Sequence, residues 1–147
     1  MPGESNAWLT ELIRAHQAEM AASIAARARQ RIPLYAGMPP SQVQAIFERV
    51  YQVMAQSLAS GDLTVMRAFM QQAIVERLQA GAPAPDLIAL IPSLGDEVRA
   101  VVDRESATDP RQTAQALRQL QTLISNMRMI VSEINLSLLK TPPPNGG

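Results

Sequence analysis

Apolar residues recur every three or four positions along most of the chain, the spacing typical of amphipathic α-helices. Runs that alternate apolar with polar residues, which would indicate strands, are short. Ala, Leu, Gln and Arg are the commonest residues, and these, like Met and Glu, favour helices. We therefore predict an all-α fold, a bundle of about five to six helices with a long C-terminal helix.

Glycine and proline mark the ends of five helical blocks. Proline is tolerated in a first helical turn, and glycine favours the left-handed conformation that ends many helices. The predicted blocks begin near Ser5 or Asn6, at Met38-Pro39-Pro40-Ser41, after Asp62, at Pro85-Asp86 and at Asp109-Pro110. The first three predicted ends are Gln30 before Ile32-Pro33, Gly61 and Gly81. The fourth block contains Val102, and the last block ends near Leu139.

Pro92 lies inside the fourth block. Proline removes one helical hydrogen bond and its ring clashes with the carbonyl four residues earlier, here that of Ile88. The segment from Ser93 through Gly95 to Asp96 could cap a restarted helix. We therefore predict a kink or break at Pro92, which could act as a hinge.

The last block has apolar residues on two sides. One stripe is wide enough to pack on the rest of the domain, and Met129, Leu136 and Leu139 fall outside it. A helix of about 45 Å should extend beyond a compact domain of this size, which favours a homodimer interface over complete burial. The predicted interface contains Leu117, Leu120, Ile124, Met127, Met129, Val131, Ile134, Leu136 and Leu138.

Composition narrows the possible functions. The 147 residues are 47% hydrophobic, contain no cysteine and carry 13 basic and 13 acidic side chains. We expect one helical domain over 1–140 and a Pro/Gly-rich tail or linker over 141–147. With no net charge, no signal-peptide pattern and no long apolar run, we expect a cytoplasmic protein without nucleic-acid or membrane partners.

His16, the single histidine, lies on the apolar stripe of the first helix. It could bind haem or a metal, or respond to pH, but a histidine at the core edge with one hydrogen bond is the simpler interpretation. A metal site needs several converging ligands, and Glu19 alone does not complete one. We therefore predict no cofactor, and in particular no stoichiometric haem.

Motifs for catalysis are missing as well. The acidic pairs around Asp96-Glu97 and Asp103-x-Glu105 are typical of a solvated helix face, and there is no glycine-rich phosphate loop or nucleophile elbow. We therefore do not expect an enzyme. The methionines are typical of core filling, although a methionine-lined cavity for an apolar ligand is an alternative.

Two stretches resemble a known family. The first runs from Arg31 to Ser41 (RIPLYAGMPPS), and the second from Leu63 through Arg67-Ala-Phe69 and Gly81 to Leu87-Ile-Ala-Leu. Together they resemble the N-terminal sensor domains of the stressosome RsbR family, the RsbT co-antagonists. The resemblance covers about residues 8–140 and implies a globin-like fold without haem, which dimerises and signals through its last helix.

These observations lead to a functional hypothesis. We expect a non-catalytic sensory or regulatory input domain of a bacterial stress-signalling system. The resemblance implies that its partners are a second copy of itself and an output domain or signalling protein. A carrier of a small apolar ligand and a structural scaffold subunit are the alternatives.

Overall fold

The protein is described by a computed structural model that covers residues 2–105 and 109–140, with the side chains of 7–105 and 109–139. Within those ranges the chain forms helices and no strand, so the prediction of an all-α bundle with a long last helix is confirmed. The predicted tail over 141–147 lies outside the described residues. The helices are α1 (Pro2–Arg31), α2 (Pro33–Ala36), α3 (Pro40–Ser60), α4 (Thr64–Gln79), α5 (Ala84–Arg104) and α6 (Pro110–Lys140).

Several helix ends follow the predicted capping chemistry. Gly61 ends α3 in the left-handed region, with φ +71°. The Asp62 carboxylate accepts hydrogen bonds from the Thr64 backbone amide at 2.9 Å and from its hydroxyl at 2.7 Å. Asp109 accepts a hydrogen bond from the backbone amide of Arg111 at 2.9 Å. These two aspartates satisfy amides that a helix N-terminus leaves without partners.

Helix α2 is absent from the sequence prediction. Pro33 is predicted to follow the end of the first helix, but it also begins a one-turn helix, in which the Ala36 amide donates to the Ile32 carbonyl at 3.1 Å. This turn buries Tyr35 in the core. It therefore positions an aromatic side chain that no helical periodicity marks.

Of the kink or break predicted at Pro92, the break is wrong, because α5 is helical from Ala84 to Arg104. A kink and a hinge at Pro92 stay predictions. The predicted restart is wrong too: Ser93 lies inside the helix, and its hydroxyl donates to the Ala89 carbonyl at 3.5 Å. Pro92 is on the exposed side of α5, so its ring avoids the core. Leu90 before it and Leu94 after it are both buried, and this packing on both sides holds the helix together.

The core lies mainly between α1, α3, α5 and α6. Tyr51 of α3 is fully buried, and its hydroxyl donates to the Leu94 carbonyl of α5 at 3.0 Å. Burial raises the pKa of Tyr51, so this phenol stays protonated as a donor. A Cβ at Gly95 would lie 2.9 Å from Cγ1 of Ile124, so this glycine allows α5 and α6 to approach closely.

Ion pairs connect the outer faces of the helices. Glu97 of α5 is half-buried and accepts from the Ser23 hydroxyl of α1 at 2.8 Å, and it pairs with Arg27 of α1 at 2.8 Å. Arg67 of α4 pairs with Glu133 of α6 at 2.7 Å. The pair between Arg27 and Glu97 therefore connects the last turns of α1 to α5. None of the helices over the described residues has the length and hydropathy of a membrane span.

Candidate ligand cleft

An apolar cleft lies beneath α4, between this helix and α2, α3, α5 and α6. The space in it that a water-sized sphere can enter is about 60 Å³. This is below the roughly 300–1,000 Å³ of most small-molecule sites, but the lining has their character, apolar with a few polar groups. Its apolar lining includes Phe47, Met66, Met70, Leu90, Leu94 and Met127.

The mouth of the cleft lies between α3 and α4, where the lining side chains are only partly buried. Ile46 and Val50 border it from α3, and Phe69 and Ile74 border it from α4. The guanidinium of Arg49 lies 6.0 Å from the centroid of the Phe69 ring, within the range of a cation–π contact. One such contact at an exposed site contributes little, about 0.5–1 kcal/mol.

Arg77 and Tyr35 are the polar groups of the lining. Nε of Arg77 donates to the Tyr35 hydroxyl at 3.1 Å, and Nη1 donates to the Ala73 carbonyl at 3.3 Å. The Tyr35 ring is buried and lies 5.7 Å from the Phe47 ring, centroid to centroid. The Arg77 side chain is only 17% exposed. A guanidinium in this position is partly desolvated, which strengthens its interaction with an anion.

Neither Arg77 nor Tyr35 is predicted from the sequence as a site residue. Both occur only as parts of the stretches that resemble the RsbR family. They are far apart along the chain, and no spacing rule brings the end of α4 to the turn of α2. The methionine-lined cavity, raised as an alternative, has a counterpart in this cleft, where Met66, Met70 and Met127 all contribute to the lining.

His16 belongs to a separate cluster that connects α1 to the end of α5. Its Nδ1 lies 3.5 Å from a carboxylate oxygen of Glu19, and its Nε2 lies 3.8 Å from one of Glu105. Arg104 donates to Glu19 at 2.6 Å and lies 3.5 Å from His16. Hydrogen bonding to Arg104 lowers the pKa of Glu19, and the same bond raises the pKa of Arg104.

This cluster does not have the composition of a metal site. Among the side chains described, those of 7–105 and 109–139, no three from His, Cys, Asp or Glu are grouped as ligands of one metal ion. His16 is at the edge of the core, with a side chain 23% exposed. Its position matches the interpretation of a core-edge histidine, and its partners are the charged side chains named above.

The residues predicted for the dimer interface fall into two groups. Leu120, Met127, Val131 and Ile134 are buried within the chain, and Leu117 and Ile124 pack against the same core. These six form the stripe that faces the body of the domain. Met129, Leu136 and Leu138 are 48%, 54% and 38% exposed, and the neighbouring Leu139 is 75% exposed. These four are called the α6 tip.

The α6 tip is apolar on opposite sides of the helix. Leu138 continues the buried line of Val131 and Ile134 at steps of three and four residues, yet it is exposed. Met129 and Leu136 lie one heptad apart on another side. The C-terminal end of α6 therefore extends beyond the side chains that cover the stripe facing the body of the domain. This agrees with the expectation from the length of the helix.

Comparisons with protein-family models, curated proteins and solved structures find no match to this chain. The resemblance to RsbR sensor domains therefore stays a prediction from sequence motifs, and so does the globin-like arrangement. The function has to be argued from the cleft and from α6.

Proposed function

We propose that this chain is a non-catalytic, cytoplasmic sensory or regulatory input domain that dimerises and relays a signal through its C-terminal helix. One observation carries the proposal: α6 borders the ligand cleft and also carries the exposed α6 tip. Met127 lines the cleft, and Leu136 lies nine residues further along the same helix, about 14 Å away. A change of packing at Met127 can therefore reach the tip within one rigid element.

The cleft supplies the input in this proposal. A ligand that fills the space beneath α4 contacts Met70 on one wall and Met127 on another. Unbranched, polarisable methionine side chains repack readily around a new occupant. Filling the cleft would therefore bias the position of α6. A ligand shifts the equilibrium between two positions of α6 only as far as it binds one of them more tightly than the other.

The α6 tip supplies the output. Isolated exposed apolar side chains are common on protein surfaces, but four within eleven residues at one helix end are a concentration of them, and Met129 and Leu136 share one side of α6. A two-fold axis beside that side would bring Met129 and Leu136 of a second copy against it. A standard interface buries about 1,200–2,000 Å² in total, so the dimer would need neighbouring surface as well as the tip.

Light scattering of the purified chain tests the dimer. We expect wild type at micromolar concentration to have about twice the 16.0 kDa mass of one chain. Leu136→Asp places a charge in the α6 tip and should give a monomer with unchanged far-UV circular dichroism. Gln121→Glu is the matched control, because it adds the same charge to an exposed position of α6, about 22 Å from Leu136. A wild-type monomer, or equal effects of both variants, would contradict the proposed interface.

The cleft itself supports a second candidate, a carrier of a small apolar ligand. A carrier binds its cargo without a change of assembly, whereas an input domain changes the monomer–dimer equilibrium or the position of α6. Mass spectrometry of molecules extracted from the purified protein identifies the occupant. Light scattering before and after extraction then separates the two candidates.

A further inference from the structure

The cleft beneath α4 is nearly filled in this structure. A water-sized sphere can enter about 60 Å³ of it, well below the roughly 300–1,000 Å³ of most small-molecule sites. Met66 of α4 and Met127 of α6 both line the cleft, and their exposed fractions are 0% and 1%. A small molecule can therefore fill the cleft only if one of its walls moves.

Helix α4 is the wall with few buried side chains. Among its 16 residues only Met66 and Met70 are buried, one turn apart on the same face. Its other large apolar side chains, such as Phe69 and Ile74, are partly buried against the core. The area removed from water supplies most of the free energy that holds a helix in place. Lifting α4 therefore costs less than lifting α3, which has eight buried residues.

A glycine with positive φ lies at each end of α4. Gly61 precedes the helix with φ +71°, and Gly81 follows it with φ +100°. A Cβ added at either glycine would have no packed atom within 4 Å, so the backbone at both positions has open space beside it. Hinges are a few residues at the ends of elements that absorb a change of dihedral angle, and glycine does so without a side-chain clash. Both ends of α4 therefore have a residue suited to a hinge.

Polar contacts hold α4 near each of its ends. Near the N-terminus, Arg67 pairs with Glu133 of α6 at 2.7 Å, and both side chains are about half exposed. Near the C-terminus, Nε of Arg77 donates to the Tyr35 hydroxyl at 3.1 Å. Arg77 also donates to the carbonyl of Ala73, which lies on α4 and would move with it. Both contacts can break as α4 moves, because water reaches the separated groups and replaces the lost partners.

We infer that α4 is a lid, which turns about Gly61 and Gly81 as one rigid helix and uncovers Met127 on the wall beneath it. The contacts of Arg67 with Glu133 and of Arg77 with Tyr35 act as two latches that hold the lid closed. The inference goes beyond the proposed function, because the opening needs neither a ligand nor a second copy of the chain. An open lid gives the proposed sensing cleft its entrance.

Thiol labelling of single-cysteine variants measures the opening, because the chain contains no cysteine of its own. Met66→Cys reports on the lid and Met127→Cys on the wall that the lid covers. Met54→Cys on α3 is the matched control, since Met54 is as fully buried as Met66. A small aromatic disulfide reagent in excess reacts with each thiol when it becomes exposed, and the released thiolate is followed by its absorbance.

We expect both cleft variants to react at least about a hundredfold faster than Met54→Cys in the absence of denaturant. Their rates should rise little at low urea concentrations, because lifting one helix exposes little surface. The rate of Met54→Cys should rise steeply with urea, since this thiol becomes exposed through unfolding of the whole domain.

Variants at the latches sharpen the test. Arg67→Gln and Tyr35→Phe should each speed the labelling of Met127→Cys by about threefold and leave that of Met54→Cys unchanged. Arg14→Gln is the matched control for Arg67→Gln. The two arginine side chains are 50% and 51% exposed, but Arg14 pairs with Glu11 of its own helix. It should change neither rate.

Two outcomes of the labelling would overturn the inference. If all three thiols react at one rate with one urea dependence, α4 opens only when the whole domain unfolds, and α4 is not a lid. If Met66→Cys reacts fast and Met127→Cys reacts as slowly as Met54→Cys, the first turns of α4 unwind and the helix does not lift as a rigid element.

Hydrogen exchange of the wild-type chain provides a second measurement if a cysteine variant fails to fold. The amides of α4 should exchange faster than those of α3, again with little dependence on urea at low concentrations. Equal protection of the two helices would contradict the lid. The dimer test with Leu136→Asp is independent of the position of α4, so a failure of the lid and a failure of the proposed dimer can be told apart.

Discussion

Helices α3 and α4 follow one another along the chain, yet they differ greatly in how they are packed. Of the 21 residues of α3, eight are buried, whereas α4 buries only Met66 and Met70 among its 16. Apolar content does not explain this difference, since α4 also carries Phe69, Ile74 and other large apolar side chains. Phe69 and Ile74 border the cleft, and they pack against the core only partly buried, as Val75 and Leu78 do.

The comparison suggests where the molecule can change. The apolar area removed from water supplies most of the stability of a helix in a fold, so α4 has less to lose than α3 when it moves. A ligand in the cleft would supply the missing contacts and would act on the helix that is least firmly held. Three predictions test whether the two regions differ as described.

The largest expected difference is between two methionine substitutions. Met54 of α3 and Met70 of α4 are both buried, but only Met70 borders the empty space of the cleft. Met54→Ala should lower the free energy of unfolding by about 2–5 kcal/mol, because it leaves a new cavity in a filled core. Met70→Ala should cost about half as much, because part of its surroundings is already empty. Urea denaturation monitored by circular dichroism measures both, and equal losses would mean that α4 is packed as tightly as α3.

The two buried tyrosines offer a smaller test. The Tyr51 hydroxyl donates to the Leu94 carbonyl in the core, and the Tyr35 hydroxyl accepts from Arg77 at the cleft. Tyr51→Phe should lower the free energy of unfolding by about 1 kcal/mol, the typical contribution of one hydrogen bond. Tyr35→Phe should cost less in the free protein, because water at the cleft can replace the lost partner of Arg77. In denaturation experiments, a larger loss of unfolding free energy for Tyr35→Phe than for Tyr51→Phe would contradict the description of the cleft as the looser region.

The smallest effect is expected at the surface, where Arg104 connects α5 to Glu19 of α1. The pKa of Glu19 is lowered from its ordinary value of 4.5, mainly by its hydrogen bond to Arg104. A carboxylate with a lowered folded pKa stabilises the fold above its ordinary pKa, and this contribution is lost as the pH falls through the folded value. Arg104→Gln should therefore destabilise the protein slightly at neutral pH and not at a pH below the folded pKa of Glu19.

Salt provides the control for this last prediction, because screening weakens an exposed ion pair. The difference between wild type and Arg104→Gln at neutral pH should shrink when the salt concentration is raised. A difference that persists in acid would contradict the assignment to Glu19. His16 and Glu105 lie beside the same ion pair. The stability in acid should therefore be measured on Arg104→Gln alone, without a second substitution in this cluster.

The sequence by itself determined the class of fold and most of the helix ends. Periodic apolar positions are a local property of each helix, and Gly61, Asp62 and Asp109 act on backbone groups within a few residues of themselves. The inner stripe of α6 was also readable, because a helix turns the same side chains to one face wherever it is placed. Such features need no information about distant parts of the chain.

Only the tertiary structure decided what Pro92 does and where the cleft lies. Local chemistry favours a break at a proline, but buried neighbours on both sides hold α5 intact, and their packing depends on other helices. The pairing of Arg77 with Tyr35 joins residues 42 positions apart, and empty space beneath α4 is a property of five helices together. Contacts of this kind follow from how helices pack, and packing is a global balance that no local pattern in the sequence records.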